Sequence, residues 1–203
     1  MRDVRRGRAA LVTIGCICAA ALGACGGSAT NSPTAAGTGS ASSTPATSSS
    51  TTPASGAAGA LALTVAELPS GGPTLAQISD GEMNSVANTD QRGFANADNT
   101  YRIEDDVVID ASAQAAETDY PQLRDATKSQ VVTLDSSSTP SGLGAQADEY
   151  VGKTSDGYSE VGITFQDGAV IAVLLLVDST DTVDTNFAEA VARAQEAKIA
   201  AAS

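Results

Sequence analysis

The chain has no histidine and no tryptophan, and only three cysteines in 203 residues. Without an imidazole, Ser-His-Asp and Cys-His catalysis and His-containing zinc sites are all excluded. Cys16 and Cys18 lie in an apolar run near the N-terminus, which leaves Cys25 as the one thiol beyond it. A domain without a cysteine pair has no intrachain disulfide, so its core must hold it. Aromatics are 3% of the chain, and Phe94, Phe165 and Phe187 are its phenylalanines. That core must therefore come mostly from Val, Ile, Leu and Ala. Basic residues are also few: 11 Lys and Arg against 24 Asp and Glu give a net charge of −13. Such a surface repels nucleic acid and anionic headgroups, so no nucleic-acid partner is expected. Solubility is the simplest use of this charge, and recognition of a basic partner is the other.

What is present begins at the N-terminus. Arg2, Arg5, Arg6 and Arg8 against a single Asp3 precede an uncharged, mostly apolar run from Leu11 to Leu22. This is the n-region and h-region pattern of a signal peptide. About twelve apolar residues rise only about 18 Å as a helix, short of the roughly 30 Å hydrocarbon core that a span must cross. The run ends in Leu22-Gly23-Ala24-Cys25, which resembles the lipobox of bacterial lipoproteins. The resemblance implies that the Cys25 thiol takes a diacylglyceryl thioether and that lipoprotein-processing enzymes cut between Ala24 and Cys25. The mature chain is then expected at the extracytoplasmic face of the cell membrane, held there by its N-terminal lipid. Ordinary signal cleavage at the same small residues, with Cys25 a bystander, is the alternative. Loss of residues 1–24, which hold four arginines and one aspartate, leaves seven basic and 23 acidic residues, a net charge of −16.

From Gly26 to Gly59 the chain is almost wholly Gly, Ser, Thr, Ala and Pro, with no charge and no aromatic. It cannot bury enough apolar area to offset the entropy of ordering it, so residues 25–59 are expected to be a lipidated cysteine and a disordered tether. Some 34 residues reach roughly 30–35 Å as a flexible coil. Residues 60–203 are a normal length for one domain with one core.

Along that domain, Thr64-Val65-Ala66-Glu67 reads as a capping box opening a very short helix that Pro69 stops. The stretch from Ser79 to Asn99, rich in Asn, Asp and Gly, reads mostly as loop. Tyr101, Ile103, Val107 and Ile109 share an alternating face, a strand in which Asp105 marks a bulge. Ser112 caps a helix whose Ala116, Tyr120 and Leu123 recur at helical spacing, with Pro121 kinking or restarting it. Val161, Ile163 and Phe165 alternate with polar residues, Asp167-Gly168 is a hairpin turn, and Ala169 to Val177 is uninterrupted apolar sequence, expected to be a central strand. With a second turn at Asp156-Gly157 this predicts a meander of strands near 146–153, 158–166 and 169–177. A last helix is expected from about Val183 to Ala201, with Phe187, Val191 and Ala194 on its inner face. The fold class that follows is α+β: an antiparallel sheet with a C-terminal meander, packed against two or more helices.

The segment Thr64-Val65-Ala66-Glu67-Leu68-Pro69-Ser70-Gly71, the strand and helix from Val107 to Tyr120, and Phe165-Gln166-Asp167-Gly168-Ala169-Val170 before an Ala-rich helix resemble small extracytoplasmic domains of actinobacterial lipoproteins and kinase sensor regions. The resemblance implies helices on an antiparallel sheet and a role in ligand sensing or envelope interaction.

Chemistry is scarce. None of Lys128, Lys153 and Lys198 follows a serine at Ser-x-x-Lys spacing, and there is no Walker loop or Gly-x-Gly-x-x-Gly. No catalytic residue and no cofactor is therefore assigned. The dense carboxylates Glu104, Asp105, Asp106 and Asp110 read as a solvated strand edge that discourages aggregation. Asp178, Asp181 and Asp184 recur every third residue before the last helix and are weak metal candidates, since Ca²⁺ needs six to eight oxygens. Capping that helix is their simpler use. A lipid-anchored binding or sensing module, not an enzyme, is the reading that remains, with an envelope protein or small ligand as partner. A carrier of an apolar lipid is the alternative. Contacts are expected from the loop-rich Ser79 to Asn99 and Asp135 to Gly144 stretches.

Overall fold

Apolar side chains on both sides of a strand require cover on both faces, and the segment from Val170 to Leu176 finds it at the centre of a sheet. The computed structural model describes residues 57–83 and 88–202. The segments expected to be a signal peptide, a lipobox (Leu22, Gly23, Ala24 and Cys25) and a tether, up to residue 56, lie outside the described residues. In chain order the elements are helix α1 (Ala57–Leu61), a 3-10 turn (Val65–Glu67), strands β1 (Ala76–Gly81), β2 (Thr89–Ala95) and β3 (Tyr101–Ile109), and helix α2 (Ala113–Gln130). Strands β4 (Thr133–Ser138), β5 (Gln146–Lys153), β6 (Ser159–Asp167) and β7 (Val170–Asp178) and helix α3 (Thr185–Ala202) complete the chain. The seven strands form one open antiparallel sheet in the order β1-β2-β3-β7-β6-β5-β4. The class is α+β, with β7 the middle strand and β1 and β4 the edges.

Residues paired directly across antiparallel strands share a face. Ile103 of β3, Leu176 of β7 and Val161 of β6 are one such row, and Asp105, Leu174 and Ile163 the next. This face carries the main core, closed by Leu61 at the end of α1, by Ala62 and Leu63 after it, and by Phe187, Ala188, Val191, Ala192 and Ile199 of α3. The opposite face of β5, β6 and β7 is covered by α2. Gly162 on β6 permits that approach, because a Cβ there would lie 2.8 Å from the Thr127 methyl. Ser112 caps α2 by accepting from the Ala115 amide at 3.1 Å, and the helix runs on through Pro121 instead of restarting there. Thr64 and Glu67 form the expected reciprocal pair, around a single 3-10 turn.

Several expectations are corrected. The described residues between Ser79 and Asn99 are not mostly loop: they hold the end of β1 and all of β2. β2 shows no apolar period because its inward row is Asp90, Arg92 and Phe94, with the two charges buried by ionic and hydrogen-bonded partners instead of by apolar contact. Asp105 makes no bulge but stays in register with Arg92 and Leu174. Nor do the carboxylates of β3 line a sheet edge, since Asp105 is 0% and Asp106 4% exposed on a strand with neighbours on both sides. The final hairpin pairs Asp167 with Val170, so its turn is Gly168-Ala169, one residue later than expected. Only Gly168 there has positive φ, at 57°, whereas a type I′ turn would need two such residues. The structured domain begins ahead of residue 60, for Ala58 and Gly59 of α1 are already buried. Asp135 to Ser138 belong to β4, leaving only residues 139–144 of that stretch as loop.

Candidate functional site

A helix ends with carbonyls that have no intrahelical partner. Two of those of α1, and the two carbonyls that follow it, are taken up by side chains distant in sequence. The Arg92 guanidinium donates to the carbonyls of Gly59 (2.6 Å), Ala62 (2.9 Å) and Leu63 (2.8 Å), while Gln195 donates to Leu61 and Lys198 to Ala62. The Leu63 amide in turn donates to Asp105 at 2.7 Å. Arg92 also lies 3.3 Å from Asp80 and 3.5 Å from Asp90. This polar clamp fastens the start of the domain to the sheet. None of its residues lines the cleft described below, and its role is structural.

Burial dominates the electrostatics of β3 and its neighbours. It pushes Asp105 up to about 7, opposed by the Leu63 amide and Arg92, and it pushes Glu160 up to about 7, aided by Glu104. Asp106, Glu104 and Asp90 are raised as well, each first by desolvation. Asp110 rises through burial and then the nearby Asp119 carboxylate. Among the described residues no group of three or more acidic, His or Cys side chains is gathered as a metal ion requires.

Asp178, Asp181 and Asp184 serve their own backbone. Asp178 accepts from the Thr180 amide and hydroxyl and from the Asp181 amide, which holds its carboxyl below the usual range against a desolvation effect that raises it. Asp181 accepts from the Thr182 amide, and Asp184 from the Asn186 amide at 2.9 Å in the first turn of α3. That is capping and turn chemistry.

An open cleft of about 460 Å³ lies between α2, β4 and β5. From α2 come Arg124, Asp125 and Lys128, from β4 and its exit Ser137, Ser138 and Thr139, and from β5 Asp148 and Tyr150. Arg124 and Lys128, four residues apart, share a helix face. Asp148 and Tyr150, two apart, share a strand face. An irregularity of β4 between Leu134 and Ser136 sets Ser137 opposite Tyr150. Thus helical period, strand period and one bulge together gather the lining.

Buried hydrogen bonds stiffen this geometry from beneath. Thr164 donates to the Thr127 hydroxyl at 2.7 Å, and Tyr120 reaches both the Thr164 carbonyl (3.0 Å) and Asp148 Oδ2 (2.9 Å). Burial, then Asp148, raises the Tyr120 phenol far above its ordinary value, so it remains a donor. Arg124 is engaged by Asp125 at 2.7 and 2.9 Å, which holds its guanidinium charged. The Lys128 ammonium lies 5.9 Å from the Tyr150 ring centre.

Of the stretches expected to make contacts, Asp135 to Gly144 does supply Ser137, Ser138 and Thr139, whereas Ser79 to Asn99 contributes nothing to this cleft. Arg124, Lys128, Asp148 and Tyr150 were not singled out by the sequence. The signal present was the i, i+4 cation pair, conspicuous in a domain with so few basic residues. Cys25, the expected lipidation site, and Leu22, Gly23 and Ala24 before it lie outside the described residues.

The fold and cleft define an α+β domain with an open seven-stranded antiparallel sheet and a polar cleft at one end of it. No protein-family profile matches the sequence, and neither does any curated protein. Among solved structures, the extracellular domain of PknH from Mycobacterium tuberculosis is similar at a TM-score of 0.49 and 9% identity, over 70% of this chain and 94% of that one. Among the described residues, no helix is long and apolar enough to cross a membrane.

Proposed function

We propose that this protein is a lipid-anchored cell-envelope module that binds or senses a ligand in the cleft between α2, β4 and β5, without catalysing a reaction. The cleft is the observation that carries the reading: it is open, hydrogen-bond-rich and backed by a rigid polar network, which is what recognition needs. The motif Leu22-Gly23-Ala24-Cys25 after an apolar run supports the anchor, and the Gly26 to Gly59 composition supports a tether that holds the domain off the membrane. An apolar-lipid carrier has less in its favour. Its cargo space would lie between sheet and helices, where Ile163, Leu174, Val191 and Ala192 are packed at 0% exposure.

The test is retention of envelope components on the immobilised mature protein. Lys128→Glu with Ser137→Ala, both at exposed positions, should lose at least one component that the wild-type chain retains, with an unchanged melting temperature. Identical retention by the variant and the wild type overturns the cleft as the binding site.

A further inference from the structure

Granting that the cleft is a binding site, its chemistry narrows the ligand. We infer that it takes a neutral carbohydrate, recognised by hydrogen bonds to its hydroxyls. The charges of the lining balance: Arg124 and Lys128 face Asp125 and Asp148. Arg124 is already neutralised by Asp125 at 2.7 Å, so no doubly cationic cradle exists for a phosphate. The domain's excess of carboxylates adds a field that repels anions generally. An apolar ligand is disfavoured for the opposite reason, since it would strip water from ammonium, carboxylate and hydroxyl groups and give them no partner.

What is left open are donors and acceptors in mixture. Among the described residues the Ser137 and Thr139 hydroxyls make no side-chain hydrogen bond and Lys128 makes no ion pair. Asp148 is oriented through one oxygen by Tyr120 at 2.9 Å, with its second oxygen free to accept. A sugar hydroxyl both donates and accepts, so adjacent hydroxyls on one ring can satisfy the carboxylate, the ammonium and the serine and threonine hydroxyls together. A volume of about 460 Å³ lies within the roughly 300–1,000 Å³ of small-molecule sites. Tyr150 is 5% exposed, so the ring serves as floor rather than as an open stacking platform, and binding rests on hydrogen bonds.

The experiment is a nitrogen-edited NMR titration of the full mature chain with three neutral disaccharides (maltose, lactose and mannobiose), and separately with sodium phosphate and glycine. At least one disaccharide should shift the amides of Ser137, Ser138, Thr139 and Tyr150 saturably, and the shifts should persist in about 0.5 M NaCl, where exposed charges are screened. Asp148→Asn should weaken that binding by about tenfold or more, the usual scale for losing a hydrogen bond to a charged group. Lys128→Gln, at an exposed position where folding is not at issue, should also weaken it. The inference is overturned if phosphate or glycine shifts these amides and no disaccharide does, or if none of the five does. Cleft-dependent retention of an envelope component alongside that negative result would leave the binding reading standing and remove only the carbohydrate.

Discussion

Acidification from neutral pH should make this domain more stable, and Asp105 provides the size of the effect. Its carboxyl is fully buried on β3, faces Asp90 and Arg92 of β2, receives the Leu63 amide, and feels Lys198 of α3 at longer range. Burial prevails and raises it from 3.8 to about 7. A carboxyl raised in the folded state binds a proton there that the unfolded chain has already released. Its contribution is therefore complete below the unfolded value and is lost as pH rises through the folded one. Between pH 7 and pH 5 this amounts to about 2 kcal/mol from Asp105 alone, or roughly 4–8 °C in melting temperature for a domain of this size. Glu160, Asp106, Glu104 and Asp90 are shifted in the same direction and steepen the slope. Glu67 and Asp178 are lowered instead, so their share is lost only at more acid pH. The assay is urea unfolding at half-unit steps from pH 5 to pH 8. General charge repulsion also relaxes on acidification, so Asp105→Asn is the control: it keeps an oxygen for the Leu63 amide but cannot titrate. It should be at least as stable as wild type at pH 8 and should show a shallower slope. A wild-type stability that is flat or rises from pH 5 to pH 7, or an Asp105→Asn slope equal to wild type, would refute the reasoning.

Arg92→Met removes the guanidinium from three carbonyls, of which Ala62 keeps Lys198, and from two carboxylates, and should cost about 3 kcal/mol or more by urea unfolding, with faster amide exchange at Leu61 to Leu63. Gly162→Val inserts a branched side chain where even a Cβ meets Thr127 and Leu175. It should displace α2 and broaden the NMR signals of Arg124 and Lys128, whereas unchanged spectra would mean that α2 does not rest on Gly162. Cys25→Ser should shift the protein from the membrane to the soluble fraction or stall its processing; undiminished labelling by a fatty-acid probe would count against Cys25 as the lipid site. A chain of residues 57–203 should melt cooperatively at a midpoint indifferent to reductant, and one starting at residue 64, without α1 and Leu63, should melt lower because it leaves Arg92 and Asp105 without their backbone partners.

Much of the fold was legible because it follows local rules. The apolar run after Asp167-Gly168 reads as a strand covered on both faces, and Val170 to Leu176 are buried as such; the alternation of Val161, Ile163 and Phe165 sets its neighbour, and Ser112 announces α2. Phe187 and Val191 give the inner face of α3 for the same reason. Where burial is polar, these rules fail. Asp90 and Arg92 look like loop residues because nothing local shows that the Arg92 guanidinium will meet the carbonyls of residues 59, 62 and 63 some thirty positions earlier. Asp105 and Asp106 look solvated because the placement of β3 between β2 and β7 is a matter of strand order, which no local period encodes.

The cleft divides along the same line. The sequence by itself determined its exposed rim, since Ser137, Ser138 and Thr139 sit in a Ser-, Thr- and Pro-rich stretch unsuited to a core. It also determined the absence of imidazole chemistry, which depends on residue type alone. Only the tertiary structure decided that Lys128 and Asp148 line the same cavity, for their meeting requires α2 to lie across β6 at Gly162 and Tyr120 to reach β5. Residue type and short-range period are written into the chain directly. Juxtaposition across a sheet is settled only when the whole core closes, because the free energy that selects one strand order over another is spread over every buried side chain.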